Sequence, residues 1–197
     1  MSGRIPQQAI DQLFLNARTQ NTWQAKDVTD DQLKEMVDIM KMGPTSANCQ
    51  PARFVFLRTK AAKERLKPFL SANNQDKSMS APVTVIIAHD FAFYEHLPRT
   101  FPHADAKSWF VGKPELAGMT AVRNGTLQGA YLMLAARALG LDIGAMSGFD
   151  NAGVDKEFFP DDETVKSNFV CNIGYGDPAG VMARLPRFDF DEIATIL

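Results

Sequence analysis

The sequence holds no apolar run near the ~20 residues that span a bilayer. Its first residues, MSGRIPQQAIDQ, lack the apolar stretch of a secretory signal. A cytoplasmic location is the expectation, with no membrane partner. Cysteine is scarce: Cys49 and Cys171 stand alone, without a CxxC. Reduced thiols are expected rather than a disulfide, and nothing near Cys49 in sequence supplies a base to make it a nucleophile. His89, His96 and His103 show no zinc-type spacing with those cysteines, so no metal is expected. An excess of one charge sign is also missing. The formal net charge is −2, which removes any overall attraction for nucleic acid. A dinucleotide fingerprint is absent as well. Gly174, Gly176 and Gly180 are not spaced as GxGxxG, and too little chain follows for a βαβ unit. Repeats, low-complexity tracts and linkers are lacking. What is present is 197 residues with 45% hydrophobic content, enough for one α+β domain over residues 1–197.

The pattern along the chain alternates helical and extended periods. A helix begins near Pro6, with Ile10, Leu13, Phe14 and Ala17 at helical spacing. Thr29-Asp30-Asp31-Gln32 is a capping box, opening a helix whose apolar face is Leu33, Met36, Val37 and Met40. Gly43-Pro44 ends it. Phe54 to Leu57 predicts a short strand, Lys60 to Leu70 a helix, and Pro82 to Ala88 the clearest strand. Residues 90–113 hold six aromatics among prolines and charges and predict an irregular segment with short helices. Two readings stand for it: a cover over a binding site, or a surface excursion with its own core. Pro114 opens a long, largely apolar helix that Gly140 stops, and a turn-rich stretch follows. Phe169 to Ile173 is the last strand, and residues 188–197 form a short amphipathic helix or an arm.

Three segments carry candidate chemistry. Pro44-Thr-Ser-Ala-Asn-Cys-Gln-Pro51 sets hydroxyls and amides between two stiff ends, which suits a flat heteroaromatic ligand or a hydrogen-bonded turn. Arg18-Thr19 and the pair Arg184 and Arg187 offer guanidinium forks for phosphate oxygens if the two loops converge. Ala145-Met-Ser-Gly-Phe-Asp150 lets a ligand approach free backbone amides at Gly148.

Together these segments resemble the nitroreductase-like family along nearly the whole chain. Arg18 and Thr19 match the phosphate-binding pair of its N-terminal motif. Ala17 replaces an arginine of that motif, and Asn21 replaces a basic residue facing the flavin. Pro44–Pro51 is similar to the family's Pro-Ser-Ser-x-Asn-x-Gln-Pro loop, through Ser46 and Asn48. Asn74, the Ser147 and Gly148 amides, and Arg184 match its remaining cofactor contacts. The resemblance implies a central, mostly antiparallel sheet flanked by helices, a long buried central helix and an intertwined homodimer. It implies FMN as cofactor, NADH or NADPH as hydride donor, and reduction of a small oxidised substrate at flavin N5. The length and the Phe101–Phe110 segment look closest to the malonic semialdehyde reductase subgroup, with its NADH dehydrogenase/nitroreductase relatives. A general nitro- or quinone reductase and a flavin-binding protein without turnover are the alternatives. Arg99 and His103 are candidate substrate contacts that would stabilise a developing alkoxide.

Overall fold

The computed structural model describes residues 3–197. Helix α1 (Gln7–Ile10) starts directly after Pro6 and widens into a π turn over Asp11–Leu15. In α2 (Asp30–Met40) the Thr29 hydroxyl accepts from the Gln32 amide while the Gln32 side chain takes the Thr29 amide. That reciprocal cap is the one expected. Strand β1 (Ala52–Leu57) is followed by α3 (Lys60–Leu66), which a 3₁₀ turn extends to Phe69. Then come α4 (Ala72–Ser80), β2 (Val83–Asp90) and a short α5 (Leu97–Thr100) inside the aromatic segment. Helix α6 spans Pro114–Ala138, and β3 (Asp142–Met146), α7 (Asn151–Phe158) and β4 (Val165–Gly174) complete the core. The tail forms one turn, α8 (Phe190–Ile193).

The four strands make one sheet in the order β1-β2-β4-β3, with every pairing antiparallel. Side chains alternate across its two faces. Val85, Ile87, Cys171, Ile173 and Ile143 pack with α2 and α6. Ile86, Val170, Met146 and Leu57 pack with Leu66, Leu70 and Val154 on the other side. Covered on both faces, β2 is buried along its whole length. No helix among the described residues is long and apolar enough to cross a membrane.

Four elements differ from the sequence expectation. The stretch after Gly140, expected as turns, is strand β3. Helices α4 and α7 lie where no element was expected. The central helix α6 buries one face only: Leu116, Met119, Val122 and Leu127 point away from the core and are exposed. Residues 90–113 have their own core, in which Phe93, Leu97, Ala106 and Phe110 pack on Ala117 and Ala121 of α6. The core that the second reading expects is present, with Phe101, His103 and Trp109 toward its outer side.

Candidate functional site

The first cluster forms along β3. Thr19 bridges Ile143 in parallel, and the Gln20 amide donates to the Ile143 carbonyl at 2.9 Å. This fixes Arg18, Thr19 and Asn21 at the sheet edge. From the far end of the chain, Arg184 Nη2 donates to the Leu15 carbonyl at 2.6 Å, and Arg18 Nη2 donates to the Met182 carbonyl at 2.5 Å. The two arginine loops therefore converge, as expected. A cavity of about 770 Å³ opens between them, lined by Arg18, Thr19, Asn21, Arg184 and Arg187. Each guanidinium has N–H groups beyond the one engaged, so the donor set suits a phosphate. Arg137, from the last turn of α6, lines the same cavity beside Ala17 and donates to the Leu13 carbonyl at 2.9 Å. It supplies a cation near the position where the sequence motif lost one. No motif points to Arg137, because it lies 119 residues past Arg18.

Further along β3, the chain turns at Ser147-Gly148. The Gly148 carbonyl accepts from Asn74 Nδ2 at 2.9 Å and from the Ser71 amide at 3.0 Å. Asn74 is buried, and a Cβ on Gly148 would lie 2.8 Å from its amide nitrogen. A side chain there would force Asn74 and Ser71 aside. The Ser147 and Gly148 amides take no partner among the described residues, so both are free donors. Asn74, Ser147 and Gly148 thus form one unit. Helix α4, which carries Asn74, is anchored at its other end. Trp23 Nε1 and Asn172 Nδ2 both donate to the Lys77 carbonyl. The buried Lys63 ammonium donates to the Met79 and Ala81 carbonyls, where burial pulls its pKa down.

The second cluster is the Pro44–Pro51 loop. Three non-glycine residues take positive φ: Ala47 at 48°, Asn48 at 49° and Gln50 at 42°. Such backbone persists only where its surroundings over-determine it. Helix α6 supplies that support. Asn124 Oδ1 accepts from the Ser46 amide at 2.9 Å, Gln128 Oε1 accepts from the Ala52 amide at 2.9 Å, and the Tyr131 hydroxyl donates to the Pro44 carbonyl at 3.0 Å. Asn48 Nδ2 donates to the Thr100 carbonyl at 2.8 Å, tying the loop to α5 and bringing Arg99 close. Ser46 and Asn48 remain exposed. Cys49 is buried, and burial pushes its thiol pKa up to about 11, which suits packing rather than nucleophilic attack. His103 stands edge-on to Phe101 at 5.6 Å between ring centroids.

The two clusters do not meet within one chain. Thr19 sits beside Ile143, whose register leads through Ile173 to Val83 at the start of β2. The loop enters β1 at Ala52, which pairs with His89 at the other end of β2. Six strand residues separate those levels, roughly 20 Å. The donor set fits a long ligand with a phosphate at one end and a polar-edged aromatic at the other. Within one chain the Arg18–Arg184 cradle and the Pro44–Pro51 loop lie apart. Among the described residues no group of His, Cys, Asp and Glu is arranged to hold a metal.

Comparison with known proteins bears on this arrangement. The sequence profile described as the Nitroreductase family matches residues 16–175. A Burkholderia lata protein named NADH dehydrogenase/NAD(P)H nitroreductase is 62% identical over 95% of this chain and 96% of its own. A Stenotrophomonas maltophilia protein of the same name is 57% identical over 100% of both chains. Among solved structures, a Bacillus subtilis nitroreductase superposes with a TM-score of 0.84 at 20% identity, covering 98% of this chain and all of its own. An Exiguobacterium sibiricum nitroreductase in complex with FMN gives 0.83 at 16% identity, covering 100% of this chain and 99% of its own.

Proposed function

Because the chain belongs to the nitroreductase family, we propose that its two clusters are the halves of an FMN site in a homodimeric NAD(P)H-dependent oxidoreductase. Arg18, Thr19 and Arg184, with Arg137 beside them, would hold the phosphate. Asn21, Asn74 and the amides of Ser147 and Gly148 would meet the polar edges of the ring system. Ser46 and Asn48 would come from the partner chain. When bound, FMN supplies the hydride chemistry, and the protein binds, orients and shields it. Asn21 would donate a hydrogen bond where a cation would also add positive charge, so electrostatic support for a reduced, anionic ring would be weaker on that side.

The observation that carries this reading is the separation of the Arg18–Arg184 cradle from the Pro44–Pro51 loop, at opposite ends of β2. A two-fold partner can bring one copy's loop to the other copy's cradle. The surface supports such pairing. Leu116, Met119, Val122 and Leu127 form an open apolar face on α6. An apolar groove of about 270 Å³ lies beside it, lined by Leu13, Ile39, Tyr131 and Leu134. Residues 188–197 expose Phe188, Phe190, Ile193, Ile196 and Leu197, an arm suited to cover that face on a partner.

The finer proposal for the substrate is a small carbonyl such as malonic semialdehyde, reduced to 3-hydroxypropanoate. Reduction of nitro compounds or quinones is the second reading, favoured by the names of the close relatives. The two buried, unpaired thiols suit turnover in the reducing cytoplasm. The decisive experiment is the visible spectrum of the purified protein before and after anaerobic NADH or NADPH. A flavin spectrum that the nucleotide bleaches is expected. A protein that neither carries nor takes up FMN would overturn the reading, and one that stays yellow would be a flavin binder without turnover.

A further inference from the structure

The Pro44–Pro51 loop also walls a second cavity, of about 280 Å³, shared with α5 and the start of β1. Its charged lining is Lys41, Arg53, His96 and Arg99, and its apolar lining includes Val37, Met40 and Phe54. Most of that charge is already matched. Arg53 Nη2 pairs with Asp90 Oδ2 at 2.6 Å, and Lys41 pairs with Asp38. His96 Nε2 stands 3.9 Å from Asp90 Oδ2. Arg99 makes no ion pair and no side-chain hydrogen bond among the described residues. Lys41, Arg53 and Arg99 against Asp38 and Asp90 leave one positive charge in excess, and it is the guanidinium of Arg99.

The backbone that carries Arg99 is fixed, while its side chain is exposed. Leu97 is fully buried and anchors α5 in the aromatic core. Asn48 fastens the last residue of α5, Thr100, to the strained loop. An unmatched guanidinium at the mouth of a cavity with an apolar wall suits a small molecule with an apolar body and one oxyanion group.

We propose that this cavity receives the carboxylate or phosphate of a molecule that reaches the flavin site, and that Arg99 is the cation it meets. The inference rests on the composite-site reading, because Ser46 and Asn48 are what would set the cavity beside the partner's cofactor. It gives the site a substrate class: anionic oxidants, or the phosphate-bearing nicotinamide nucleotide itself.

The test is calorimetric titration of benzoate, benzamide and NADP⁺ into the holoprotein, as wild type, Arg99→Gln and Arg99→Lys. Losing one charge-assisted interaction is expected to raise the Kd about tenfold or more in Arg99→Gln. Arg99→Lys keeps the charge without the fork and should lose less. Weakened benzoate with unchanged NADP⁺ assigns the site to a substrate carboxylate. Weakened NADP⁺, with benzoate binding neither protein, assigns it to the nucleotide phosphate. Weakening of both supports one oxyanion site visited in turn. No difference for either anion, or an equal loss for benzamide, overturns the proposal. So does release of FMN from Arg99→Gln, which would make Arg99 part of the cofactor cradle. A wild-type protein that takes up no FMN defeats the oxidoreductase reading instead, and the visible spectrum reads that separately.

Discussion

The two clusters of site residues are built in opposite ways. The Pro44–Pro51 loop carries three positive-φ residues, each worth about 1–3 kcal/mol of stored strain. Asn124, Gln128 and Tyr131 of α6 hold it there without any ligand. Around Arg184, by contrast, residues 181–189 have no strand or helix. That stretch is joined to the first cluster mainly by the Arg18–Met182 and Arg184–Leu15 bonds. On the proposed reading, one half of the site is preorganised, and the other would gain order with its anion. The loop half would then depend on the fold, and the Arg184 half on the ligand. Linkage then predicts that FMN stabilises the dimer chiefly through the cradle.

The strongest break of this comparison removes the partner. Met119→Glu combined with Val122→Glu places charges on the open face of α6. An unpaired buried charge costs about 3–5 kcal/mol. A monomer of 21.8 kDa that sheds FMN is expected in sedimentation. A monomer that keeps FMN stoichiometrically would end the composite-site model. Next in size is the cradle itself. Arg18→Ala and Arg184→Ala are each expected to weaken FMN by about 1.5–3 kcal/mol, read by titration of the apoprotein. Unchanged affinity in both variants would remove the phosphate assignment. Asn124→Ala sharpens the comparison from the other side. It leaves the Ser46 amide without its acceptor, at a cost of about 1–3 kcal/mol read by thermal unfolding. Because Asn124 lies thirteen residues before Arg137 on α6, roughly 20 Å along the axis, any loss of FMN in this variant must pass through the partner site. Mixing Asn124→Ala chains with Arg184→Ala chains should restore one intact site per heterodimer.

The legible parts of the sequence were those where local chemistry decides. The Thr29–Gln32 box, Pro114 at the first turn of α6 and the β-branched run of β2 specify their elements without help. Helix α4, ANNQDKSMS, was not legible, because only Asn74 and Ser78 are buried and neither is apolar. Its register is set by Trp23, Lys63 and Asn172, which come from three other segments. Strand β3 was hidden by Gly144, which reads as a turn. A Cβ there would fall 2.4 Å from the Gln20 carbonyl, so that glycine serves the contact with the Arg18 segment instead. Helix α7 buries Val154 alone, too little for a period. Arginines on loops distant in sequence gave the cradle away through the family motif. Asn124 and Gln128, which hold the strained loop, stood inside an apolar helix and drew no notice.

The smallest expected effect sharpens the comparison by softening the rigid half with pH. His89 is buried at the end of β2, opposite Ala52 where the loop enters the sheet. Its Nδ1 has no partner among the described residues, and Gly125 of α6 leaves only enough room for its Cβ. Protonation would place a charge and a second donor in that pocket, so burial holds the pKa below the usual histidine value, against a smaller opposing pull from Asp155. The unfolded chain binds the proton near pH 6.5, while the folded chain resists it until lower pH. Stability is therefore complete above about pH 6.5 and falls as the pH drops toward the folded-state value. Carboxylates act in a different window. Asp162, held low by the Thr164 hydroxyl, matters only below about pH 4. Urea midpoints measured from pH 8 to pH 5 should fall in the wild type and stay flat in His89→Leu, whatever the variant's absolute stability. Parallel curves for the two proteins would show that His89 is not the group being protonated, and that the rigid half of the site owes nothing to it.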